Sequence, residues 1–212
     1  MSAAFTVILP HRRNPGNNLA LQVALDCLQD NTTHDFKLLM DAAVDEPLYP
    51  RVNAMMYQAN TECCVYWASD TFAAPGWDTA MLSRWTPDTI VTGVVCEPGV
   101  IGIHHENVGI DFGRTPEQFR RQDFEAWVAN DPPLPSGTGF PAPYMIGRTA
   151  FFELGGLDDN GLNPDHHGFT AADDALFDRW RASGRPVVRA PAYVYHLQRW
   201  SQVDEQEAEK RR

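Results

Sequence analysis

Residues 63–71 (CCVYWASDT) place an acid shortly after a run that has the composition of a sheet interior. The run at 63–67 is apolar and aromatic, which predicts a buried strand. Asp70 follows in a short turn, and Pro75-Gly76-Trp77 predicts the start of a helix. In open α/β sheets, ligands bind beside the carboxyl ends of the strands. Asp70 is therefore the first candidate functional residue.

Three more apolar strands flank this stretch. Residues 5–9 form a β-branched run closed by Pro10, residues 36–40 end at Asp41, and residues 89–95 form a fourth strand. Apolar side chains at helical spacing lie between them. This alternation predicts an α/β fold with a mostly parallel, Rossmann-like central sheet and helices on both faces.

Residues 97–130 show less periodicity. We expect a long loop or hairpin over 97–114. The next four residues, 115–118 (TPEQ), have the pattern of a capping box with proline at the first helical position. They predict a helix that presents four apolar side chains: Phe119, Phe124, Trp127 and Val128.

The proline-rich residues 131–141 predict a mobile loop over the site. The elements expected after it are a strand at 144–147, a helix from Thr170 to Gly184, and two late strands at 187–188 and 193–195. We expect one domain over residues 1–203, followed by a charged tail at 204–212.

The chain has 212 residues, and its 28 acidic and 17 basic side chains give a formal net charge of −11. That balance disfavours a broad footprint on a nucleic-acid backbone. No apolar run reaches the length of about 18 residues that a membrane span needs, and the N-terminus lacks the pattern of a signal peptide. Four cysteines fall on expected helices or strands, so we expect reduced thiols and a cytoplasmic location.

Several segments occur in a fixed order over residues 5–196. They are Phe5–Pro10, Asp41, Arg51-Val52-Asn53, Ala68–Thr71 with Pro75-Gly76-Trp77, Tyr144–Arg148 through Gly155–Asp158, Asp173–Arg179, Gly184 and His196. In this order and spacing the chain resembles family 2 glycosyltransferases of the A-type nucleotide-sugar fold.

The resemblance implies a metal-dependent enzyme that moves a sugar from a nucleotide-sugar donor to an acceptor hydroxyl with inversion. It implies that Asp70 and His196 bind Mn²⁺ or Mg²⁺ and that Asp173 is the catalytic base. The residues that it implies for donor binding are Pro10, Arg12, Asp41, Arg51, Asn53, Ser69 and Asp70. The acceptor stays open between a glycan, a small molecule and a modified DNA base.

The chemistry of such a transfer requires these residue types. Negative charge builds up on the departing diphosphate, and a divalent cation that bridges its oxygens stabilises that charge as a Lewis acid. Mg²⁺ and Mn²⁺ accept oxygen and imidazole ligands and often keep several waters, so one Asp and one His can suffice. The attacking hydroxyl loses a proton, so a positioned carboxylate base is expected. Guanidinium groups such as those of Arg12, Arg13 and Arg51 pair well with phosphate.

Each candidate also has a purely structural interpretation. Asp70 also fits a turn or cap residue, Asp41 a strand-ending turn acid, and His196 a buried core histidine. Asp173 lies three residues after Thr170 and also fits the acid of a capping box. Both interpretations stay open for each residue at this point.

The chain departs from the family pattern at Ala68 and Ala172, near which acids are usual. If Asp173 is only a capping acid, Asp174 is the substitute base. The departures also favour an alternative, a non-catalytic carbohydrate- or nucleotide-binding module of the same fold. Nucleotidyl transfer is a weaker option, because its signature loop is missing.

A further alternative is a transferase that glycosylates a modified base in DNA, with Arg114, Arg120 and Arg121 in an acceptor loop. The histidine pairs at 104–105 and 166–167 do not match the spacing of a closed zinc site. We expect ordinary loop histidines there, with those at 166–167 as optional acceptor contacts.

Overall fold

The computed structural model describes residues 3–12, 15–43, 48–99, 106–139, 142–158 and 170–197. Within those ranges the strands are β1 (Phe5–Arg12), β2 (Phe36–Ala43), β3 (Cys63–Tyr66), β4 (Thr71–Ala73), β5 (Ile90–Glu97), β6 (Val108–Gly109), β7 (Tyr144–Gly147) and β8 (Val187–His196). The helices are α1 (Pro15–Asn31), α2 (Leu48–Gln58), α3 (Trp77–Leu82), α4 (Arg121–Ala129), α5 (Arg148–Glu153) and α6 (Thr170–Ala182), with a 3₁₀ turn at Pro116–Gln118. The expected tail at 204–212 lies outside the described residues.

The described strands form one sheet in the order β2-β1-β3-β7-β5-β8-β4, and β6 pairs with β5. β1 is parallel to β2 and β3, and β5 is parallel to β6 and β8. Antiparallel pairing joins β7 to both β3 and β5, and β4 to β8. The predicted α/β fold with a mostly parallel sheet is confirmed. The carboxyl ends of five strands lie at the same edge of the sheet, called here the carboxyl edge: β1, β2, β3, β5 and β8.

Helices cover both faces of this sheet, as the sequence predicts. α1, α3 and α4 pack on one face, where Phe124 is buried. α2, α5 and α6 pack on the other face, where Trp180 is buried. The adjacent Cys63 and Cys64 belong to opposite faces, as strand geometry requires, and the four cysteines are buried free thiols. No helix in the described ranges combines the length and the apolar character needed to cross a membrane.

The capping box at 115–118 caps a 3₁₀ turn instead of the predicted α-helix. Thr115 Oγ1 accepts a hydrogen bond from the Gln118 N–H at 3.3 Å, but the backbone is extended at Phe119 and α4 begins after it. The Phe119 ring stacks on Tyr195 with ring centroids 5.2 Å apart. We attribute the break to this aromatic contact, since tertiary packing commonly outweighs local helix propensity.

The end of the chain differs from expectation in two ways. One continuous strand, β8, replaces the two predicted late strands, because β5 pairs along it through a register shift between Thr92 and Val94. The segment at 131–139 is irregular, as expected, but it is anchored. Buried Arg189 donates to the carbonyl oxygens of Pro135 and Ser136, each at 2.8 Å. These contacts argue against the mobile loop that the proline content predicts.

Candidate functional site

Asp70 and His196 are brought together by the pairing of β4 with β8. β4 begins directly after Asp70, and Thr71 lies opposite His196 in the register. The Leu197 N–H donates to the Asp70 carbonyl oxygen at 3.1 Å. As a result, Nε2 of His196 lies 3.6 Å from Oδ2 of Asp70. The two predicted metal ligands are therefore neighbours.

Glu97 joins this cluster from the end of β5. Cys96 pairs with Tyr195 in the parallel register of β5 and β8, so the next residues of the two strands are adjacent. Oε1 of Glu97 lies 2.9 Å from Nδ1 of His196. Glu97 is missing from the sequence prediction, although an acid that closes an apolar strand is the same signal that selected Asp41.

The charges of this cluster stabilise one another. Burial alone would lower the pKa of His196, but Asp70 and Glu97 outweigh it and raise the pKa to about 10. Burial alone would raise the pKa of Asp70, but the attraction of His196 outweighs it and holds the pKa below its ordinary value. The protein thus holds an imidazolium between two carboxylates at neutral pH. A divalent cation would replace the proton at Nε2.

The donor atoms of Asp70 and His196 fit a divalent cation. A carboxylate oxygen and an imidazole nitrogen are ligands that Mn²⁺ and related ions accept. Two ligands of one Mg²⁺, each at about 2.1 Å, lie at most about 4.2 Å apart, and the observed separation of 3.6 Å satisfies that limit. Among the residues that the structure describes, no three His, Cys, Asp or Glu side chains are grouped to hold a metal ion. The other ligands would come from a bound diphosphate and water.

Asp173 lies in the first turn of α6 and is buried. The Tyr144 hydroxyl donates to its Oδ1 at 3.4 Å, and the Tyr144 ring packs between Tyr66 and Phe177. Burial raises the pKa of Asp173, the Tyr144 hydrogen bond lowers it and the Asp174 charge raises it, which gives a pKa of about 8. A general base is most effective when its pKa lies near the working pH.

Tyr66, at the end of β3, links Asp173 to Asp70. The pKa of its hydroxyl is raised by burial and then by the charges of Asp173, Tyr49 and Asp70. The charges of the two carboxylates predicted as base and as metal ligand therefore both act on this phenol, and the sequence analysis names neither Tyr66 nor Tyr144. That Asp70 and Asp173 serve one site stays a prediction.

Asp41 and Arg51 form a closed ion pair at the ends of β1 and β2. Arg51 Nε lies 2.7 Å from Asp41 Oδ2, and the guanidinium also donates to the carbonyl oxygens of Asp41 and His11, at 2.5 and 3.1 Å. Arg51 is buried, whereas 44% of the Asp41 side chain is exposed. Arg51 therefore ties the two strand ends together, and Asp41 is the partner that is open to solvent.

The other predicted donor contacts are placed differently. Asn53 uses its side-chain amide within the protein, since Nδ2 donates to the Leu157 carbonyl oxygen at 2.8 Å and Oδ1 accepts from the Leu157 N–H at 3.0 Å. Pro10 is buried in β1, and Ser69 is half-buried in the turn before β4. Arg12 ends β1, and its side chain lies outside the described part of the chain. Donor binding by these four residues stays a prediction.

The arginines of the DNA-acceptor alternative are paired with acids. The ion pairs are Arg114–Asp111 at 3.0 Å, Arg120–Asp123 at 3.3 Å and Arg121–Asp30 at 2.8 Å. Such pairing reduces the positive field that a DNA backbone would meet. The histidine pairs at 104–105 and 166–167 lie outside the described residues.

Known glycosyltransferase structures share this architecture. A structure of S. aureus TarS matches with a TM-score of 0.54 and 11% identity, over 91% of this chain and 60% of that chain. TarS in complex with UDP-GlcNAc matches with a TM-score of 0.53 and 10% identity, over 92% and 60%. GalNAc-T7 with UDP, GalNAc and Mn²⁺ matches with a TM-score of 0.49 and 13% identity, over 92% of this chain and 43% of that chain. The chain thus spans 43 to 60% of the length of these structures.

The TarS structures show that the chain has the A-type glycosyltransferase fold, which confirms the predicted resemblance at the level of the fold. No protein-family model matches the chain, and no curated protein matches its sequence.

Proposed function

We propose that the protein transfers a sugar from a nucleotide-sugar donor to an acceptor hydroxyl, with Mn²⁺ or Mg²⁺ as cofactor and inversion at the anomeric carbon. One observation carries the proposal: His196 Nε2 lies 3.6 Å from Asp70 Oδ2 at the carboxyl edge of the sheet. This edge is where open α/β sheets bind ligands. The A-type glycosyltransferase fold supports the proposal by analogy.

On the donor side, Asp70 and His196 would hold the cation. When bound, the cation supplies Lewis-acid stabilisation of the leaving nucleoside diphosphate. The exposed Asp41 would accept a hydrogen bond from the ribose or base. Arg51, 2.7 Å from that carboxylate, would fix its direction.

On the acceptor side, Asp173 would be the base. The acceptor oxygen bonds to the anomeric carbon while the bond from that carbon to the diphosphate oxygen breaks, and its electron pair leaves with the diphosphate. The hydroxyl proton passes to a carboxylate oxygen of Asp173. Tyr144 donates to Oδ1 of Asp173 at 3.4 Å, so Oδ2 is the oxygen that would meet the acceptor.

Release of nucleoside diphosphate tests the proposal. UDP-GlcNAc, the donor bound in the TarS complex, is the first of a panel of nucleotide-sugars to incubate with the protein and Mn²⁺. We expect one donor to bind and to be transferred or slowly hydrolysed, and we expect EDTA to stop the release. Failure of every donor to bind would overturn the proposal.

Asp173→Asn separates an enzyme from a binding module of the same fold. A general base contributes about 10²- to 10⁴-fold, so the variant should lose turnover by that factor and keep donor binding. Asp178→Asn is the matched control, because that carboxylate lies on the same helix and 79% of its side chain is exposed. Turnover that survives in Asp173→Asn but is lost in Asp174→Asn would move the role to Asp174. Donor binding without turnover in the wild type would identify a binding module.

A further inference from the structure

We propose that Glu97 is a positioning residue of the cation site. It fixes the ring orientation and the tautomer of His196, and Asn107 holds Glu97 in turn. The inference rests on the proposed function, because the His196 ring needs a fixed tautomer only if it binds a cation.

Both carboxylate oxygens of Glu97 are engaged. Oε1 lies 2.9 Å from Nδ1 of His196, and Oε2 accepts a hydrogen bond from Asn107 Nδ2 at 3.0 Å. Glu97 is 5% exposed, so water competes little for these contacts. The carboxylate is therefore fixed in one position by His196 at one oxygen and by Asn107 at the other.

The contact with Nδ1 decides which ring nitrogen can meet a cation. A neutral imidazole carries one proton, on either Nδ1 or Nε2. In the neutral ring that would bind a cation, a carboxylate that accepts from Nδ1–H leaves Nε2 without a proton, and Nε2 is the atom that faces Asp70 at 3.6 Å. In metal proteins, losing such a partner of a ligating histidine weakens metal binding or activity about 10- to 100-fold.

The short strand β6 pairs with β5 at Glu97 and holds its backbone. Glu97 pairs with Gly109 in the register of β5 and β6, and the Ile110 N–H donates to the Glu97 carbonyl oxygen at 2.9 Å. This pairing brings Asn107 within hydrogen-bond distance of the carboxylate. Residues 106–110 thus support the site through Glu97.

The Mn²⁺ affinity of Glu97→Gln, measured from the electron paramagnetic resonance signal of the free ion, tests the inference without turnover. Glutamine keeps the size of the side chain, but its amide can donate to Nδ1 and so favour the wrong tautomer. We expect Mn²⁺ to bind about 10- to 100-fold more weakly, with a thermal midpoint close to that of the wild type. Glu62→Gln is the matched control, because Glu62 also accepts two hydrogen bonds, both from Thr149 at 2.9 and 2.8 Å, but lies beside the start of β3.

The ¹⁵N chemical shifts of the His196 ring with Mg²⁺ give a second readout. We expect the Nδ1–H tautomer in the wild type and its partial loss in Glu97→Gln. Asn107→Ala should weaken Mn²⁺ binding by a smaller factor, and it keeps the inference testable if Glu97→Gln does not fold.

The outcomes separate the inference from the proposed function. Unchanged Mn²⁺ affinity in Glu97→Gln, beside a clear loss in Asp70→Asn, would overturn the role of Glu97 alone. Equal losses in Glu97→Gln and Glu62→Gln would reveal a general structural effect and would overturn it too. A wild-type protein that binds no Mn²⁺ would overturn the proposed function together with the inference.

Discussion

Two oppositely charged pairs lie at the same edge of the sheet and differ in how closely they are joined. Arg51 and Asp41 are 2.7 Å apart, and the Arg51 guanidinium also donates to two backbone carbonyl oxygens. His196 and Asp70 are 3.6 Å apart, beyond good hydrogen-bond distance. The first pair is closed, and the second leaves space between its atoms.

The third contact of each pair explains the difference. Arg51 reaches from α2 to the ends of both β1 and β2, so every contact draws the guanidinium toward Asp41 and its neighbours. Nδ1 of His196 is instead held 2.9 Å from Glu97, while Nε2 faces Asp70. The Arg51–Asp41 pair is closed and stabilises the fold. The His196–Asp70 pair is spaced, and because Glu97 holds the far side of the His196 ring, a ligand can bind between the two side chains.

The largest expected effect comes from breaking the spaced pair. Asp70→Asn removes one of the two proposed protein ligands, so we expect Mn²⁺ affinity and turnover to fall by more than about 100-fold, the upper range for losing a supporting residue. Asp41→Asn is the control for charge at the same edge and should keep Mn²⁺ affinity while weakening donor binding. Equal loss of Mn²⁺ affinity in Asp70→Asn and Asp41→Asn would contradict the proposal that only the Asp70–His196 pair binds the cation.

Breaking the closed pair should act on stability instead. Arg51→Met leaves the His11 carbonyl oxygen without its guanidinium partner, and we expect the free energy of unfolding to drop by ~1–3 kcal/mol in urea titrations. Arg114→Met is the control, because 60% of that side chain is exposed and such pairs contribute about 1 kcal/mol or less. A loss in Arg51→Met no greater than in the control would contradict the structural role of the closed pair.

The pH dependence of turnover tests Asp173, the buried carboxylate that accepts a hydrogen bond from Tyr144. Because a base acts when it is deprotonated, the rate should rise with pH through the Asp173 pKa of about 8. Tyr144→Phe removes a hydrogen bond that lowers this pKa, so the rising limb should move to higher pH. The check is kcat/KM against pH for both proteins, and a limb that stays in place would argue against Asp173 as the group that titrates.

The smallest expected effect is the pH dependence of stability without metal. The pKa of His196 is raised from 6.5 to about 10 on folding, so its stabilising contribution is complete below pH 6.5 and is lost as pH rises through about 10. His196→Gln should therefore be less stable than the wild type at pH 6, by about 1 kcal/mol or less for a partly exposed pair, and the gap should close by pH 11. Urea unfolding in EDTA measures this gap. The difference in unfolding free energy between Arg51→Met and the wild type should stay constant from pH 6 to pH 11. If the difference for His196→Gln also stayed constant, that result would contradict the raised pKa of His196.

The sequence predicts the fold well where a strand can be recognised from its own run of apolar and β-branched residues. The β-branched and apolar runs of β1, β3 and β5 are recognisable alone, because each is buried on both faces. The run of β2 is recognisable too, although β2 is an edge strand that leaves Leu38 and Met40 exposed. The three residues of β4 are too few to show a pattern, and its antiparallel pairing to β8 is set by a partner more than a hundred residues away. The break at Phe119 is hidden for a similar reason, since it depends on stacking against Tyr195.

The candidate site shows the same division. Asp70, Asp173 and His196 can be selected by position after strands or in a helix start, and the structure brings Asp70 and His196 to within 3.6 Å of each other. The roles of Glu97 and Asn107 depend on the register of β5 with β8 and β6, which no local pattern contains. Asn53 has a suitable residue type for donor binding, yet its amide is engaged by the Leu157 backbone.

Anomalous scattering from a crystal soaked with Mn²⁺ and a nucleoside diphosphate would test most directly whether Asp70 and His196 share a cation. We predict one manganese peak within bonding distance of both Asp70 Oδ2 and His196 Nε2, with phosphate oxygens completing the shell. A bound nucleotide with manganese elsewhere, or with no manganese and the two side chains still 3.6 Å apart, would contradict the proposed site.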